Sequence, residues 1–513
     1  MPQGTDTPPQ DTAHTSPGSE PIVPAATRAA PVLATAVAAL LAAALGGAIA
    51  YAVHGPHTRP GDPKTYLVYA LAWAVFAPAA FLVVRRVPVR AAVPLIVLGA
   101  VAFQLVALTA PPQTSDDAYR YAWDGRVQAA GISPYEHAPQ DPELRHLRDE
   151  WLFPAGTCTG WFHHRLPDGS CTLMNRPAVH TIYPPVAQYW YRAIHFVTPD
   201  GAREPVQAAS ALVAVGVTVA LLLILRRFGR DPRYAVVWAW CPMVALESGN
   251  NAHVDGLGAL LMLCGLAAVA SRRPVLGGVL TGAAIAVKMF PAVSLIGAVR
   301  RKPLVTAGVA ALTAAATYIP YLVMSGPAVF GYLPGYLREE RYDDGARFGL
   351  LGLVMPERAT PYAAAAVLLA AAVLVGRRSD PDRPWSAALT MTGTLLLVLT
   401  PNYPWYALLL VALVVLDGRA EWLAVGLAGY GIYFTWSMGL TDQQIRAVHQ
   451  GSYGLALVVV AAAAAVRAHR RRDRRNVPST ASPVAFSALG PPLTSVQRSS
   501  GRPNNDTASS LDA

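Results

Sequence analysis

The chain has 513 residues, of which 53% are hydrophobic and 14% charged, and its formal net charge is +10 at pH 7. Soluble domains carry roughly a quarter charged residues, so this composition excludes an ordinary soluble protein and favours a membrane protein. The positive charge does not indicate nucleic-acid binding, because the basic residues form short clusters between apolar runs. That arrangement is the positive-inside pattern of membrane proteins.

The apolar runs begin after a segment rich in Pro, Thr, Ser and Gly. The first of them, residues 29–53, has no clean signal-peptide cleavage site and predicts a retained membrane span. With the basic clusters as cytoplasmic markers, the chain is predicted to have about 12 transmembrane helices. The predicted spans are 31–53, 64–84, 91–110, 205–225, 234–249, 255–271, 303–325, 361–376, 384–400, 403–417, 420–439 and 452–466.

The same clusters predict which side of the membrane each polar segment faces. Both termini are expected on the cytoplasmic side, and residues 111–204 are expected outside as the largest polar loop. The predicted domains are a disordered cytoplasmic N-terminus (1–28), a transmembrane domain (29–466) that contains this loop, and a tail (467–513). The tail is basic and then disordered, and it is predicted to lie in the cytoplasm.

Two apolar segments do not fit simple spans. Residues 274–299 have basic clusters at both ends, so a single crossing would leave one cluster on the wrong side. A pair of half-helices that turns near Lys288 resolves this conflict, because Pro291 favours a break there. Residues 183–197 are aromatic and amphipathic, and they predict an interfacial helix on the outer face.

Two of the four cysteines lie in the predicted outer loop. Cys158 and Cys171 are about a dozen residues apart, in a compartment where thiols can oxidise, so we expect a disulfide. A zinc site formed with His163 and His164 is the alternative, although adjacent histidines have poor ligand spacing.

The polar groups with chemical potential all fall on the predicted outer side. They are carried by Asp116 and Asp117 after the third span, by the turn "ESGNNAHVDGL", by the loop "REERYDDGAR" and by the turn "NYPWY". Ionisable groups near membrane depth are costly and usually functional. The sequence therefore predicts an active site at the outer membrane interface.

Several of these motifs also occur, in the same order, in a known family. "SDDAYRYAWDGRVQAAGISPY", "HTIYPPVAQ", "NAHVD", "KMFP" and "NYPWY" resemble the motifs of bacterial C-type (GT-C) membrane glycosyltransferases. Among these the chain is most similar to polyprenol-phosphate-mannose-dependent mannosyltransferases, of the glycosyltransferase family 87 type. The resemblance implies an all-α polytopic membrane protein with a GT-C-like bundle, and a catalytic acid in the first large outer loop.

The resemblance also implies the reaction. A sugar, with mannose expected, passes from a polyprenyl-phosphate donor to a glycolipid or lipid-linked glycan, with inversion at the anomeric carbon. An acceptor hydroxyl is a poor nucleophile, so a carboxylate must take its proton. Asp117 matches the acid of the family motif and is the predicted base, with Asp116 second. Alternatively, one of the two caps the helix that begins at Ala118, or both hold a divalent cation; no other cofactor is predicted.

The phosphate of the donor needs positive charge as it leaves. The predicted donor-phosphate ligands are Arg120, Arg126, Lys288 and Arg338. For Lys288 the alternative is a side chain that snorkels to the interface without a function.

Sugar and acceptor contacts are expected from the remaining outer motifs. The predicted residues are Tyr183, Asn251, His253, Asp255, Tyr403 and Trp405. Alternatively, His253 and Asp255 satisfy each other at a helix turn, and the aromatic residues form an interfacial belt.

Two other functions are compatible with part of the pattern. A transporter or flippase of lipid-linked sugar would share the outer carboxylates, the broken helix and the number of spans. A catalytically silent envelope scaffold would share the spans alone. The clustering of polar residues at one face favours the enzyme.

Overall fold

The chain is almost entirely helical in the computed structural model, which describes residues 25–55, 62–198, 203–330 and 332–476. The predicted disordered segments fall largely on residues 1–24 and 477–513, which lie outside the described residues. The helices that precede the broken segment are α1 (Ala25–His54), α2 (Lys64–Arg86), α3 (Val89–Leu108), α4 (Asp117–Ala129), α5 (Pro185–Val197), α6 (Arg203–Arg227), α7 (Val236–Ala239) and α8 (Asp255–Ala270). Those that follow are α9 (Pro274–Ile285), α10 (Leu295–Ala298), α11 (Pro303–Ser325), α12 (Leu333–Glu339), α13 (Thr360–Arg378), α14 (Pro384–Leu399), α15 (Leu408–Asp417), α16 (Leu423–Tyr433) and α17 (Asp442–Asn476).

The helices confirm an all-α polytopic membrane fold, with fewer long spans than predicted. In the described ranges, seven helices are long and apolar enough to cross a membrane, and a pair bent by 114° makes eight if it is one span. That pair consists of a π-helical turn, Val244–Asn250, and α8. Other predicted spans, such as 384–400 and 403–417, coincide with the shorter helices α14 and α15, which have 16 and 10 residues.

The break predicted near Lys288 is present. Helix α9 ends at Ile285, and a 3-10 turn, Phe290–Ser294, leads into the short α10. Pro291 stands in the first turn of that 3-10 segment, where its missing N–H costs nothing. Helices α8 and α9 approach closely, since a Cβ on Gly265 would lie 2.7 Å from Thr281 Cγ2. This packing brings the break beside the start of α8.

The polar loop between α3 and α6 has a core of its own. Tyr119 and Trp123 of α4 pack with Leu144, Leu152 and Met174 of the loop. All five side chains are buried, so their apolar area fixes α4 against the loop.

Buried polar side chains also join α4 to α5, the amphipathic helix predicted at 183–197. Gln188 donates to Asp124 Oδ2 at 2.9 Å, and Gln128 donates to Gln188 Oε1 at 2.8 Å. Buried amides are stable when their hydrogen bonds are satisfied. These hydrogen bonds therefore fix α4 against α5, and they fix the position of Asp116 and Asp117 at the N-terminal end of α4.

A disulfide joins Cys158 and Cys171, with their Cα atoms 5.6 Å apart. It flanks a small antiparallel hairpin in which His164 pairs with Thr172. The hairpin consists of β1 (His164–Arg165) and β2 (Cys171–Thr172). Since both sulfurs are bonded to each other, the alternative zinc site has lost its two thiolate ligands.

We expect the double substitution Cys158→Ser and Cys171→Ser to loosen this loop. A cross-link across 13 residues stabilises the folded loop by about 3 kcal/mol in the chain-entropy model. Limited proteolysis should cut the loop faster in the double variant, or in the wild type with reductant. Cys264→Ala is the control, because Cys264 is a free cysteine outside the loop. Equal cleavage rates with and without reductant would contradict the prediction.

The chain divides into two units after Ala463. The first unit contains the loop, the break and every site residue discussed below. The described part of the second unit is the C-terminal end of α17, which carries the predicted basic residues of the tail.

Candidate active site

A cavity of about 580 Å³ lies where the predicted outer motifs meet. Its wall is formed by some of the residues within 114–120, 161–184, 288–290, 332–336 and 402–406, together with Tyr433. The predicted site residues on this wall are Asp116, Asp117, Arg120, Tyr183, Lys288, Tyr403 and Trp405. Motifs almost 300 residues apart in the sequence therefore share one concave site.

Asp117 is the first residue of α4, and both of its carboxylate oxygens have partners. Oδ1 accepts a hydrogen bond from Asn175 Nδ2 at 3.0 Å. Oδ2 accepts from the hydroxyl of Tyr183 at 3.0 Å and from that of Tyr121 at 3.4 Å, and His253 Nδ1 lies 3.5 Å away. The side chain is 15% exposed and lines the cavity, so the carboxylate remains accessible from the cavity.

The charge state of Asp117 follows from these neighbours. Burial by itself raises the pKa of the carboxyl, but the contact and charge of His253, the hydrogen bond from Asn175 and the charge of Lys288 oppose it. Together they hold the pKa of Asp117 well below its usual range. Asp117 is therefore a carboxylate at neutral pH. Its contribution to stability is full above about pH 4 and is lost as the pH falls through the lowered pKa.

Asp116 precedes α4 without capping it. Its side chain makes no capping hydrogen bond; Oδ2 instead lies 3.0 Å from His164 Nε2, and Oδ1 accepts from Asn175. Asn175 thus donates to Asp116 and Asp117 together. The capping alternative does not hold for Asp116, and the two neighbouring carboxylates are turned to different partners on the cavity wall.

The divalent-cation alternative for the two aspartates stays a prediction. In the described part of the chain, one group of His, Asp and Glu side chains has the spacing of metal ligands. It consists of His137, Asp141 and Glu143, and none of the three lines the cavity.

His253 lies in the sharp turn ahead of α8, behind the cavity wall. Its ring is completely buried, with Nδ1 3.5 Å from Asp117 Oδ2 and Nε2 3.5 Å from Glu247 Oε2. The ring stacks on Trp405 with centroids 3.7 Å apart and planes 17° apart. His253 therefore stands between two carboxylates and does not line the cavity, where a sugar contact was expected.

Asn251 is also buried and lies outside the cavity lining, which corrects its predicted role in sugar binding. Its amide nitrogen donates to Glu247 Oε2 at 3.0 Å and to Thr114 Oγ1 at 2.7 Å, and its oxygen accepts from the Thr114 backbone at 3.2 Å. Asn251 thus ties the turn ahead of α8 to the residues that precede Asp116.

Asp255 pairs with Lys288 and not with His253. Lys288 Nζ lies 2.9 and 2.8 Å from the two oxygens of Asp255, and 4.3 Å from the ring centroid of Tyr406. Lys288 reaches the cavity wall while Asp255 stands behind it. The alternative that His253 and Asp255 pair with each other is therefore wrong. Lys288 forms an ion pair with Asp255, whereas the alternative for Lys288 was a side chain that snorkels to the interface.

The arginines predicted as phosphate ligands separate into two groups. Arg120 lines the cavity, paired with Asp124 at 2.9 Å and donating to the Val179 carbonyl at 3.0 Å. Arg126 is six residues further along α4, on a different face, and pairs with Asp149 away from the cavity lining. Arg338 is exposed on α12 and is also absent from the lining.

The cavity wall also carries a cation, Arg176, that was not predicted from the sequence. Arg176 lines the cavity and donates to Glu339 Oε1 at 2.6 Å. Its backbone has a φ of 46°, a conformation that is costly for a residue with a side chain. Asn175 was missed as well. No sequence signal marks either residue beyond their position just after the disulfide.

The aromatic residues of the "NYPWY" turn, Tyr403, Trp405 and Tyr406, line the cavity wall. Tyr403 stacks on Trp405 with ring centroids 4.9 Å apart, and its hydroxyl donates to Glu340 Oε1 at 2.6 Å. The hydroxyls of Tyr336 and Tyr406 lie 2.6 Å apart on the same side. The hydrogen bonds and stacking fix these rings inside the protein, which an interfacial belt does not require.

Comparison with known proteins identifies the family. A family profile described as alpha-(1->6)-mannopyranosyltransferase, N-terminal domain, matches residues 28–302, which is more than half of the chain. No curated protein and no solved structure matches significantly. The matched region contains the two aspartates, the turn with His253 and the break with Lys288. The chain therefore belongs to the alpha-(1->6)-mannopyranosyltransferase family and is a membrane-bound glycosyltransferase of the mannosyltransferase class.

Proposed function

We propose that the protein transfers mannose from a polyprenyl-phosphate donor to a hydroxyl of a glycolipid or lipid-linked glycan, at the outer face of the membrane. The observation that carries this proposal is the ionised carboxylate of Asp117 on the wall of a cavity that also holds Arg120, Arg176 and Lys288. A base and a set of cations are the two requirements of transfer from a sugar phosphate. The family match favours transfer over transport.

Asp117 acts as the general base in this proposal. Its Oδ2 is occupied by two tyrosine hydroxyls and faces His253, whereas Oδ1 has a single partner, Asn175. Oδ1 is therefore the oxygen with a free lone pair for an acceptor hydroxyl. As the hydroxyl oxygen bonds to the anomeric carbon, its proton passes to Oδ1.

The bond from the anomeric carbon to the phosphate oxygen breaks in the same step, and the electron pair leaves with the phosphate. Lys288, Arg120 and Arg176 supply positive charge on the cavity wall for this leaving group. Each is held by a carboxylate of the protein, from Asp255, Asp124 and Glu339 respectively. These pairs fix the cations before the substrate arrives, so little reorganisation is needed during the reaction.

A single displacement inverts the configuration of the anomeric carbon. The family description specifies an alpha-(1->6) product. An inverting enzyme of this family therefore requires a β-linked donor and a primary 6-hydroxyl as the acceptor group. Met289, Phe290 and Leu333 add apolar surface to the cavity wall, which suits the first isoprene units of a polyprenyl chain.

Purified protein in vesicles with radiolabelled polyprenyl-phosphate mannose and a mannosyl glycolipid tests the proposal. We expect label in a new glycosidic bond that forms without nucleotide sugar. Movement of the labelled donor across the bilayer without a new glycosidic bond would show a transporter. Mannosyl transfer from a nucleotide sugar alone would also overturn the proposal.

The outer placement makes a separate prediction for a topology reporter. A fusion at residue 160, in the disulfide-bonded loop, should report an extracytoplasmic location, because the flanking basic clusters favour the cytoplasm. A fusion after Arg227 at the end of α6 is the matched control and should report the cytoplasm. A cytoplasmic signal at residue 160 would place the cavity on the wrong side for this proposal.

A further inference from the structure

His253 is buried behind the cavity wall, and the reaction proposed above gives it no role. We propose that Glu247, His253 and Asp117 form a carboxylate–imidazolium–carboxylate chain. This chain orients the side chain of Asp117, the base, and maintains its negative charge. This inference rests on the proposed function, since Asp117 must be the base. His253 and Glu247 are positioning residues in it, because neither touches the cavity.

The geometry of the ring carries the first part of the argument. The two ring nitrogens of His253 face Asp117 Oδ2 and Glu247 Oε2 in ion-pair contacts of 3.5 Å each, and neither nitrogen makes a hydrogen bond to any described residue. Stacking on Trp405 fixes the plane of the ring. An imidazole in this position can serve both carboxylates only when both nitrogens carry a proton.

Charge and burial carry the second part. His253 and Glu247 are fully buried, and buried charges are tolerated when they are paired. Glu247 also accepts hydrogen bonds from the Tyr430 hydroxyl at 2.7 Å and from the Asn251 amide at 3.0 Å. Hydrogen bonds from these donors stabilise negative charge on the Glu247 side chain, and negative charge there favours the protonated ring of His253.

The consequence for the reaction lies at Asp117. The imidazolium occupies the Oδ2 side together with two tyrosine hydroxyls, so Oδ1 is left to face the acceptor hydroxyl. When the acceptor proton arrives on Oδ1, Asp117 becomes neutral and its attraction for the imidazolium falls. The Nε2 proton can then move to Glu247, which leaves a neutral carboxyl, a neutral imidazole and a neutral carboxyl. One proton has entered the chain, and no charge remains unpaired.

Other ionisable groups surround this chain and have to be separated from it. They are Asp116, Tyr121, His164, Tyr183, Tyr191, Asp255 and Lys288 near Asp117, and Tyr69, Tyr430 and Tyr433 near Glu247. Burial raises the pKa of Tyr121, Tyr183 and Tyr191 above the usual tyrosine value near 10, which already lies outside the usual assay range. His164 stays unchanged in every variant below, so it cannot cause a difference between them.

The test is the pH profile of kcat/KM in two variants that act on opposite limbs. His253→Gln keeps a hydrogen-bond donor but loses the positive charge, so Asp117 is protonated more easily. We expect the acid limb, which lies at low pH because the pKa of Asp117 is lowered, to move up by about one pH unit or more, with the KM for donor little changed. Glu247→Gln leaves the imidazolium with one carboxylate. We expect the alkaline limb to move down by a similar amount, because the ring then loses its proton more easily.

His449→Gln is the matched control, since His449 is another buried histidine and contacts the Thr400 carbonyl and no carboxylate. It should move neither limb. A uniform loss of activity across the pH range in both variants would overturn the proposal, as would unchanged profiles. Because the variants act on opposite limbs, either one that folds decides the question. Absence of transfer by the wild type would overturn the proposed function itself.

Discussion

Asp117→Asn should reduce kcat for mannosyl transfer by about 10²–10⁴-fold, because an amide cannot take the proton of the acceptor hydroxyl. Asparagine has nearly the same shape and can still accept from Tyr183, so the fold of the loop should survive. The measurement is the initial rate of label transfer at saturating donor. The substitution removes an interaction that matters in the transition state, so the KM for donor should change little.

Two controls define this result. Asp168→Asn changes an exposed aspartate of the same loop that pairs with Arg148 outside the cavity, and it should retain activity. Asp116→Asn should cost less than Asp117→Asn, because Asp116 contacts His164 and Asn175, whereas Asp117 makes the contacts with His253, Tyr183 and Tyr121. A larger loss in Asp116→Asn would exchange the roles of the two acids.

Lys288→Met combined with Asp255→Asn should give the second largest loss, about 10²-fold or more in kcat/KM for the donor. Lys288 alone cannot be replaced cleanly, because Asp255 would remain buried and unpaired, at a cost of about 3–5 kcal/mol in stability. The double variant removes both charges and keeps the volume. Its effect should appear with polyprenyl-phosphate donor, whose phosphate needs the cation as it leaves.

Asp255→Asn alone is the matched control for this pair. It removes the acid but leaves Lys288 on the cavity wall, so transfer should persist within about tenfold of the wild type. Equal losses in the single and double variants would show that Asp255 matters by itself. Wild-type donor kinetics in the double variant would remove Lys288 from the proposed mechanism.

Some of the fold could be predicted because its signals are local. Apolar length and basic clusters identified the helices of the bundle, and Pro291 identified the break that carries Lys288. The number of long spans was overestimated, because apolar runs such as 234–249 divide into a short helix and a π-helical turn. Hydropathy measures composition and does not register such breaks.

The cavity wall was predicted in part for the same reason. The motif around Asp117 is local, so the acid and its neighbour Arg120 were identified, and both line the cavity. Arg126 was predicted beside them but lies outside the cavity lining, because the packing of Trp123 and its neighbours fixes which face of α4 meets the loop. Helical periodicity gives the spacing of faces but not their partners.

The side-chain contacts of the turn ahead of α8 could not be predicted from the sequence. His253 contacts Asp117, which is 136 residues earlier in the chain, and stacks on Trp405, which is 152 residues later. Sequence proximity suggested Asp255 as its partner, but the α8–α9 packing gives Asp255 to Lys288 instead. Such long-range contacts distinguish the surroundings of Asp117, the proposed base, from those of Asp255.

The anomeric configuration of the product tests the single displacement at Asp117 most directly. The wild-type protein should convert a β-linked polyprenyl-phosphate mannose into an α-linked mannosyl product, as read by the anomeric coupling constant in NMR. A β-linked product from the same donor would show retention. Retention requires a second displacement, and it would contradict direct attack by an acceptor that Asp117 deprotonates.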